Sequence, residues 1–248
     1  MAFASTCCPE GLGYAMSDSP LGPWKEQNYL MAPTQRDRGN HPGIVDYKGH
    51  SYLFGQDYDL MHLETFQHHE RRSVNGTEIT YNADGTIQTS PYWLDMAPMK
   101  QLQWLNPYSR VEAETMAWGF GLKSAKMGIE NTGVVKDMPA STGKKNMYIF
   151  DINDDEYIRL RGVDFGSKGA KQFAIVAAAA AKAGCTITLR LDSKTGDVIG
   201  SVDVKSTGSV EKYKSFSTKV KGATGVHDLY LCFSKATGDV RLDWWTFK

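Results

Sequence analysis

Short strand-like segments separated by turns recur along most of this chain, and they constrain its fold more than any other feature. In the second half, turns are predicted at sites such as Asp164-Phe165-Gly166 and Ser206-Thr207-Gly208. The Ala177 to Ala181 run has helix propensity, but its neighbours favour a strand that leads into a loop. Six segments are predicted as strands: 157–160, 170–178, 186–191, 198–204, 213–220 and 227–233. This half is therefore predicted to be a β-sandwich of about 140 residues.

The first half also alternates short strands and turns. A strand is predicted at 13–17, and a hairpin around Lys48-Gly49 joins 44–47 to 52–54. The whole chain is therefore predicted to be all-β. Because proline interrupts the pattern between Pro91 and Pro107, we predict domains at 1–90 and 107–248, with residues 91–106 as a packed connector.

Composition limits the partners. The 248 residues include 28 basic and 28 acidic ones, so no electrostatic attraction to nucleic acid or an anionic membrane is expected. No apolar run reaches membrane-spanning length. Four cysteines (Cys7, Cys8, Cys185 and Cys232) lack zinc spacing and are interpreted as small buried hydrophobic residues, and a Cys185–Cys232 pair stays open. A histidine-rich stretch (His62, His68, His69 and Glu70) is interpreted as a solvated loop.

Two carboxylates in the segment from Arg110 to Thr115 form a candidate metal site. Glu112 and Glu114 are two residues apart, which on an extended strand places both on one face. Their mutual repulsion requires a positive partner, and calcium collects carboxylate oxygens. Asp243, near the other end of the same β-rich segment, is a third candidate ligand if first and last strands pair. The alternative is a solvated face whose acids pair with Lys or Arg.

An ordered series of motifs in the first 90 residues resembles the last part of the five-bladed propeller of glycoside hydrolase family 43. These motifs are Gly13 to Trp24, Gly39 to Phe54, Arg71 to Val74 and Tyr81 to Ile87. The resemblance implies a partial β-propeller. It also implies that the three catalytic acids of the family precede Met1, so no catalytic residue is assigned to this chain. His41 and Arg72 match positions lining the family's pocket, and open strand edges predict self-association.

The second half resembles carbohydrate-binding module family 6 in Val111 to Glu114, Gly162 to Gly166, Leu189 to Ser193, Gly225 to Leu231 and Leu242 to Trp245. This resemblance implies a non-catalytic jelly-roll sandwich that binds plant or algal glycans. It places a structural calcium at Glu112, Glu114 and Asp243.

Sugar-binding residues are less clear from the sequence. The family's two aromatics and its asparagine fall near Tyr148 to Asp151, at Val210 or Tyr213, and at Arg241, which departs from the pattern. Tyr148, Asp151, Tyr213 and Arg241 are the predicted ligand-binding set. An arginine at this place could donate to hydroxyls or to a uronic acid, or could fill the cleft. Trp118 and Phe120 are further candidates for an aromatic platform.

Three functions follow from these resemblances. The main hypothesis is non-catalytic binding of a plant cell-wall polysaccharide or oligosaccharide of the xylan or arabinoxylan type. The second is an arabinofuranosidase or xylosidase completed by further propeller blades. The third is an inert remnant that keeps its fold and calcium but not its ligand. A secreted or periplasmic location is implied by the families alone, and no signal pattern is found in this chain.

Overall fold

The computed structural model describes residues 2–5, 11–31, 33, 41–57, 73–96, 99–126 and 147–248. Contacts within the chain divide it into two compact units, Met1–Lys100 and Gln101–Lys248. The division falls inside the predicted connector at 91–106. No helix in the described part of the chain is long and apolar enough to cross a membrane.

The first unit contains two three-stranded antiparallel sheets, with orders β1-β2-β3 and β4-β5-β6. The predicted hairpin is present, and its tip places Lys48 and Gly49 at positive φ. A single-turn 3₁₀ helix follows at Trp93–Asp95. The strands are β1 (Ala2–Ser5), β2 (Leu12–Met16), β3 (Lys25–Met31), β4 (Gly43–Tyr47), β5 (His50–Asp57) and β6 (Ser73–Ile79).

A small core holds this unit together. Leu12, Leu30 and Leu53 are fully buried, and Trp93 packs with them. The hydroxyl of Tyr14 accepts a hydrogen bond from the Ile87 backbone N–H at 2.9 Å. Burial of these apolar side chains supplies the main stabilisation of the unit.

The second unit is built from two antiparallel sheets. One is six-stranded, with order β15-β12-β17-β10-β9 and with β7 paired to β17; the other is five-stranded, with order β14-β13-β16-β11-β8. The strands are β7 (Val111–Glu112), β8 (Trp118–Phe120), β9 (Lys123–Lys126), β10 (Met147–Phe150), β11 (Tyr157–Asp164), β12 (Gln172–Ala179), β13 (Gly184–Leu191), β14 (Val198–Val204), β15 (Ser209–Lys219), β16 (Val226–Thr237) and β17 (Val240–Phe247).

The two sheets share one core and form a β-sandwich, as predicted. Alternate residues of each central strand are buried, so Ile187 and Leu189 of β13 face Ile175 of β12 and Trp245 of β17 within one cluster. The alanine run is strand up to Ala179 because the side chains of Ala177 and Ala179 are buried in this cluster, where tertiary packing outweighs helix propensity.

The cysteines that the structure describes are not bridged. Cys185 is buried on the core face of β13, whereas Cys232 lies opposite Thr188 on the outer face of the same sheet. Because the two side chains lie on opposite faces, the pairing left open by the sequence does not occur. Burial raises the pKa of the Cys185 thiol to about 12. Cys7, Cys8, Arg72 and the histidine-rich stretch lie outside the described residues.

Candidate functional site

The three predicted metal ligands lie where β7 meets the last strand. β7 pairs with β17 through Glu112 and Trp244, and the Ala113 N–H donates to the Asp243 carbonyl at 2.8 Å. The predicted pairing of first and last strands in this sandwich is therefore confirmed. However, β7 ends at Glu112, and the Thr115 N–H closes a turn onto the Glu112 carbonyl at 3.0 Å. Glu114 is thus in a turn, and the argument from alternation along one extended strand was wrong for it.

A positive partner for two of the acids comes from Arg110. Its Nε lies 2.6 Å from Glu112 Oε1, and one of its terminal nitrogens lies 3.3 Å from Asp243 Oδ1. The guanidinium also lies 5.0 Å from the centre of the Trp244 ring. This is the Lys or Arg pairing that the sequence left as an alternative, for Glu112 and Asp243. Such a half-exposed ion pair contributes about 0–1 kcal/mol.

Glu114 is left with an unsatisfied oxygen. Its Oε2 is buried and makes no hydrogen bond to any described residue. Burial raises the pKa of the Glu114 carboxyl, and the charges of Glu112 and Asp243 raise it further. The three carboxylates are therefore close enough to repel one another. Among the described residues, however, no three acidic, histidine or cysteine side chains converge as a formed metal cage.

Arg241 and Tyr148 form the centre of the predicted sugar site. The guanidinium lies over the Tyr148 ring, 4.8 Å from its centre, in a cation–π contact. Two acids fix its orientation: Glu211 Oε1 accepts from Nη1 at 3.1 Å, and Asp239 Oδ2 accepts from Nη2 at 3.3 Å. Tyr148 is only 4% exposed, and the Arg241 side chain is 12% exposed. The arginine thus covers the tyrosine ring.

Tyr213 belongs to the same cluster, whereas Asp151 has a different partner. Burial raises the pKa of the Tyr213 hydroxyl; the charge of Arg241 opposes this shift, and that of Asp243 adds to it. Tyr213 therefore lies within electrostatic range of both predicted sites. Asp151, at φ +57°, forms an ion pair with Lys123 at 2.5 Å. The roles predicted for these residues in ligand binding stay predictions.

A second aromatic group lies on the five-stranded sheet. Phe120 stacks on Tyr157 with ring centres 5.5 Å apart, and the ring centres of Tyr157 and Tyr230 are 5.7 Å apart. Arg159 lies beside Tyr230 and is bonded to Asp228 at 2.7 Å. Phe120 and Trp118 are both half-buried, so neither is the freely exposed platform that the sequence suggested.

Comparison with known proteins identifies the second unit. The model of the carbohydrate binding module (family 6) matches residues 112–248. The chain belongs to this family. The family 6 module therefore comprises most of the second unit and includes all three predicted metal ligands and the Tyr148–Arg241–Tyr213 cluster.

Similarity to larger proteins extends over both units. An arabinoxylan arabinofuranohydrolase of Paenibacillus polymyxa is 32% identical over 95% of the chain, which corresponds to 36% of that protein. One from Bacillus subtilis (strain 168) is 30% identical over 96% of the chain and 45% of its own length. The chain thus spans less than half of these relatives.

A solved structure supports the same relation. The glycoside hydrolase family 43 arabinoxylan arabinofuranohydrolase from Bacillus subtilis, solved in complex with cellotetraose, is 29% identical. It matches with a TM-score of 0.75 over 96% of the chain and 47% of the solved protein. The predicted relation to family 43, and with it the assignment of the first unit to part of a propeller, is confirmed. His41, the predicted pocket residue that lies within the described part of this unit, is exposed, and its role stays a prediction.

Sequence reasoning missed the residues that control both sites. Arg110 was visible two residues before Glu112, a spacing that places both on one strand face, but it received no role. Glu211 lies 30 residues from Arg241, so only the pairing of distant strands reveals it. Asp239 lies two residues before Arg241, next to the start of β17. This opposite-charge spacing was visible in the sequence, but no role was predicted for Asp239.

Proposed function

We propose that this chain binds a plant cell-wall glycan of the xylan or arabinoxylan type through its family 6 module, without cleaving it. The observation that carries the proposal is the joint position of Tyr148, Tyr213 and Arg241 in a module of a carbohydrate-binding family. The names of the arabinoxylan-degrading relatives favour this glycan type. Since such polymers do not cross membranes, the proposal places the protein outside the cytoplasm.

Within this proposal Tyr148 supports the site from below. Its ring is covered by Arg241, so a sugar meets the guanidinium edge and the half-buried ring of Tyr213. Glu211 and Asp239 each accept from one guanidinium nitrogen, which fixes the plane of the group. Because Nε is buried, the remaining N–H donors of Nη1 and Nη2 are the ones that can bind sugar hydroxyls, and an aromatic ring stacks on the apolar face of a pyranose.

Calorimetric titration of the full chain with xylo-oligosaccharides and arabinoxylan oligosaccharides tests the proposal. Tyr213→Ala is expected to weaken binding by roughly tenfold or more, because a central aromatic contact is lost. Tyr157→Ala, which removes an equivalent ring from the other sheet, is the matched control. Loss of affinity only in Tyr157→Ala would place the sugar on the five-stranded sheet instead. No heat of binding with any of these glycans would support the inert-remnant hypothesis.

The module's acids suit a structural calcium, which is the second part of the proposal. Carboxylate oxygens are the ligands calcium prefers, and the buried Oε2 of Glu114 lacks a hydrogen bond to the described residues. Glu112, Glu114 and Asp243 are the residues that would hold the ion, and Arg110 pairs with two of them in its absence. When bound, calcium would neutralise the repulsion among the three carboxylates and join the start of the module to its last strand.

A glycosidase activity is the second candidate. The similarity of both units to arabinofuranohydrolases favours it, with the chain acting as part of a larger enzyme. Release of nitrophenol from a nitrophenyl arabinofuranoside by the purified chain would establish hydrolysis. No release, with retained glycan binding, supports the non-catalytic role of the chain as it stands.

A further inference from the structure

Strand β15 forms a bulge opposite Arg241. β12 lies between β15 and β17, and Ala178 of β12 pairs with Arg241 on one side. On the other side, β12 pairs with Ser209 and then with Lys214 of β15, so residues 210–213 lie opposite Ala178 alone. Bulges change the direction of side chains and often occur next to functional sites. This bulge faces Arg241 across one small residue of the middle strand, which leaves room for contacts between them.

Two carboxylates approach Arg241 from different elements. Glu211 Oε1, in the bulge, accepts from Nη1 at 3.1 Å, and Asp239 Oδ2, just before β17, accepts from Nη2 at 3.3 Å. The side chains of Glu211 and Asp239 are 65% and 43% exposed, whereas that of Arg241 is 12% exposed. The two negative charges therefore outnumber the positive charge, and they are the more accessible to a ligand.

The lysines of β15 do not reverse this charge balance. Glu211 and Tyr213 both interact with Arg241, so they lie on one side of the strand and Lys212, between them, is directed to the other side. Lys214 pairs with an alanine whose side chain is in the core, so it projects from the face of the sheet opposite to Arg241. A ligand at the guanidinium therefore meets a net negative charge.

This set of donors and acceptors suits a hydroxyl group and not a carboxylate. A sugar hydroxyl both donates and accepts, so it can bond to a remaining N–H of the guanidinium and to an exposed oxygen of either acid. An ionised carboxylate only accepts, and it would be the third negative charge around one guanidinium. Arginine usually binds a carboxylate through two parallel N–H groups, but the two terminal nitrogens of Arg241 are already divided between Glu211 and Asp239.

We propose that Glu211 and Asp239 determine the specificity of this site: they accept hydrogen bonds from sugar hydroxyls and exclude a uronic acid carboxylate from Arg241. This inference rests on the proposed glycan-binding function, and it names the substrate class as neutral segments of xylan or arabinoxylan. Of the roles that the sequence left open for Arg241, it selects donation to hydroxyls over binding of a uronic acid. Acidic side groups of the same polymer stay outside the site.

The test compares three ligands of the full chain by isothermal titration calorimetry. They are a linear xylo-oligosaccharide, the same oligosaccharide with one glucuronic acid branch, and the methyl ester of that branched ligand. Acid and ester differ by one charge and one methyl group, so the ratio of their affinities reports the effect of the charge. At about 0.01 M salt, where the Debye length is about 30 Å, the unmodified chain is expected to bind the ester roughly tenfold more tightly than the acid, because two partly exposed carboxylates act together. At about 1 M salt the Debye length is about 3 Å, and the ratio should approach one.

Variants assign the effect to the two acids. Glu211→Gln combined with Asp239→Asn keeps the size of both side chains and an oxygen that can accept from Arg241, but it removes both charges. The acid is then expected to bind at least as tightly as the ester. A guanidinium that is held less firmly would weaken both ligands alike, so the ratio of the two affinities is the readout. Glu211→Gln alone, at a largely exposed side chain, should keep the fold and shift the ratio part of the way.

The control and the remaining outcomes separate this inference from the proposed function. Asp197→Asn combined with Asp203→Asn removes the same charge from exposed positions at β14 of the other sheet and should keep the preference for the ester. An equal loss of preference in this control, or a preference that survives in the Glu211–Asp239 variant, overturns the assignment. Equal affinities of acid and ester for the unmodified chain, tighter binding of the acid, or binding of the linear ligand alone overturns the inference and leaves glycan binding intact. Failure of all three ligands and of neutral arabinoxylan to bind overturns the proposed function, and the inference with it.

Discussion

Calcium is expected to raise the thermal midpoint of the second unit, and Asp243→Asn is expected to abolish this increase. At a calcium concentration of about 100 times its Kd, an ion that binds only the folded state contributes about 2.7 kcal/mol. For a unit of this size each kcal/mol shifts the midpoint by roughly 2–4 °C, so the expected increase is about 5–10 °C. The site joins Glu112 to β17, and the gain therefore belongs to the global unfolding of the sandwich.

In chelator the same substitution should have a small effect. Asp243→Asn weakens the 3.3 Å contact with the half-exposed Arg110, which is worth about 0–1 kcal/mol, and it also removes one of the two charges that repel Glu114. The two effects offset each other, so the midpoint without calcium should move by a few degrees at most.

Differential scanning calorimetry of the full chain measures these shifts, because it can resolve separate transitions of the two units. Asp197→Asn, at an exposed acid of the same module, is the matched control and should keep the full calcium response. Magnesium should stabilise less, since it demands smaller and more regular octahedral coordination. If calcium leaves the unmodified chain unchanged, or if Asp243→Asn responds fully, Arg110 is the counter-charge and the calcium proposal is wrong.

The sign of the stability change caused by Glu114→Gln, measured with and without calcium, tests the role of this carboxylate. In chelator it should stabilise the protein, because it replaces a half-buried carboxylate, whose Oε2 lacks a hydrogen bond to the described residues, with a neutral amide. In calcium it should reduce the ion's stabilising effect. Destabilisation of the same size under both conditions would show that the Glu114 carboxylate has a purely structural role.

Three further predictions concern stability, chemistry and association. Phe173→Ala, at a fully buried ring packed on Phe247 at 5.0 Å, should cost about 3–5 kcal/mol in urea unfolding, and a cost below about 1 kcal/mol would contradict the single sandwich core. Cys185, with its pKa raised to about 12, should resist iodoacetamide at pH 8 in peptide mapping. Because the thiol ionises at lower pH in the unfolded chain than in the folded protein, its contribution to the free energy of unfolding is lost as the pH rises from about 9 towards 12. Val74, 82% exposed on an outer strand of its three-stranded sheet, should promote self-association, so Val74→Lys should reduce dimer content in sedimentation velocity; a monomer at every concentration of the unmodified chain would refute this.

The predictable part of the fold lies in segments whose local pattern and tertiary role agree. In β13, buried residues alternate strictly with outer ones from Cys185 to Leu191, and the predicted strand at 186–191 falls within it. The predicted strand at 213–220 covers only the second part of β15, which begins at Ser209, because this sheet-edge strand is largely exposed and has a weak apolar period. The alanine run could be predicted as part of a strand only because the strand-forming residues beside it outweigh its own helix propensity.

The sequence predicted which residues belong to the candidate site, but it did not predict which of them contact each other. Glu112, Asp243 and Arg241 could be identified along the sequence because they occur in recognisable motifs. The ion pair between Arg241 and Glu211 could not be predicted, because it requires β15 and β17 to pair with opposite edges of β12 in one particular register. A turn at Glu114 broke the two-residue period, and the pairing of Arg110 with both Glu112 and Asp243 depends on β7 lying beside β17.

The sequence alone determined the class of this protein, because strand periods, turn residues and motif order are local properties that persist in any context. It also determined which acids and aromatics were available for a site. Tertiary structure decided which charges neutralise each other and which tyrosine is covered. These outcomes depend on contacts between residues far apart in sequence, since electrostatic and packing energies are set by distance in space.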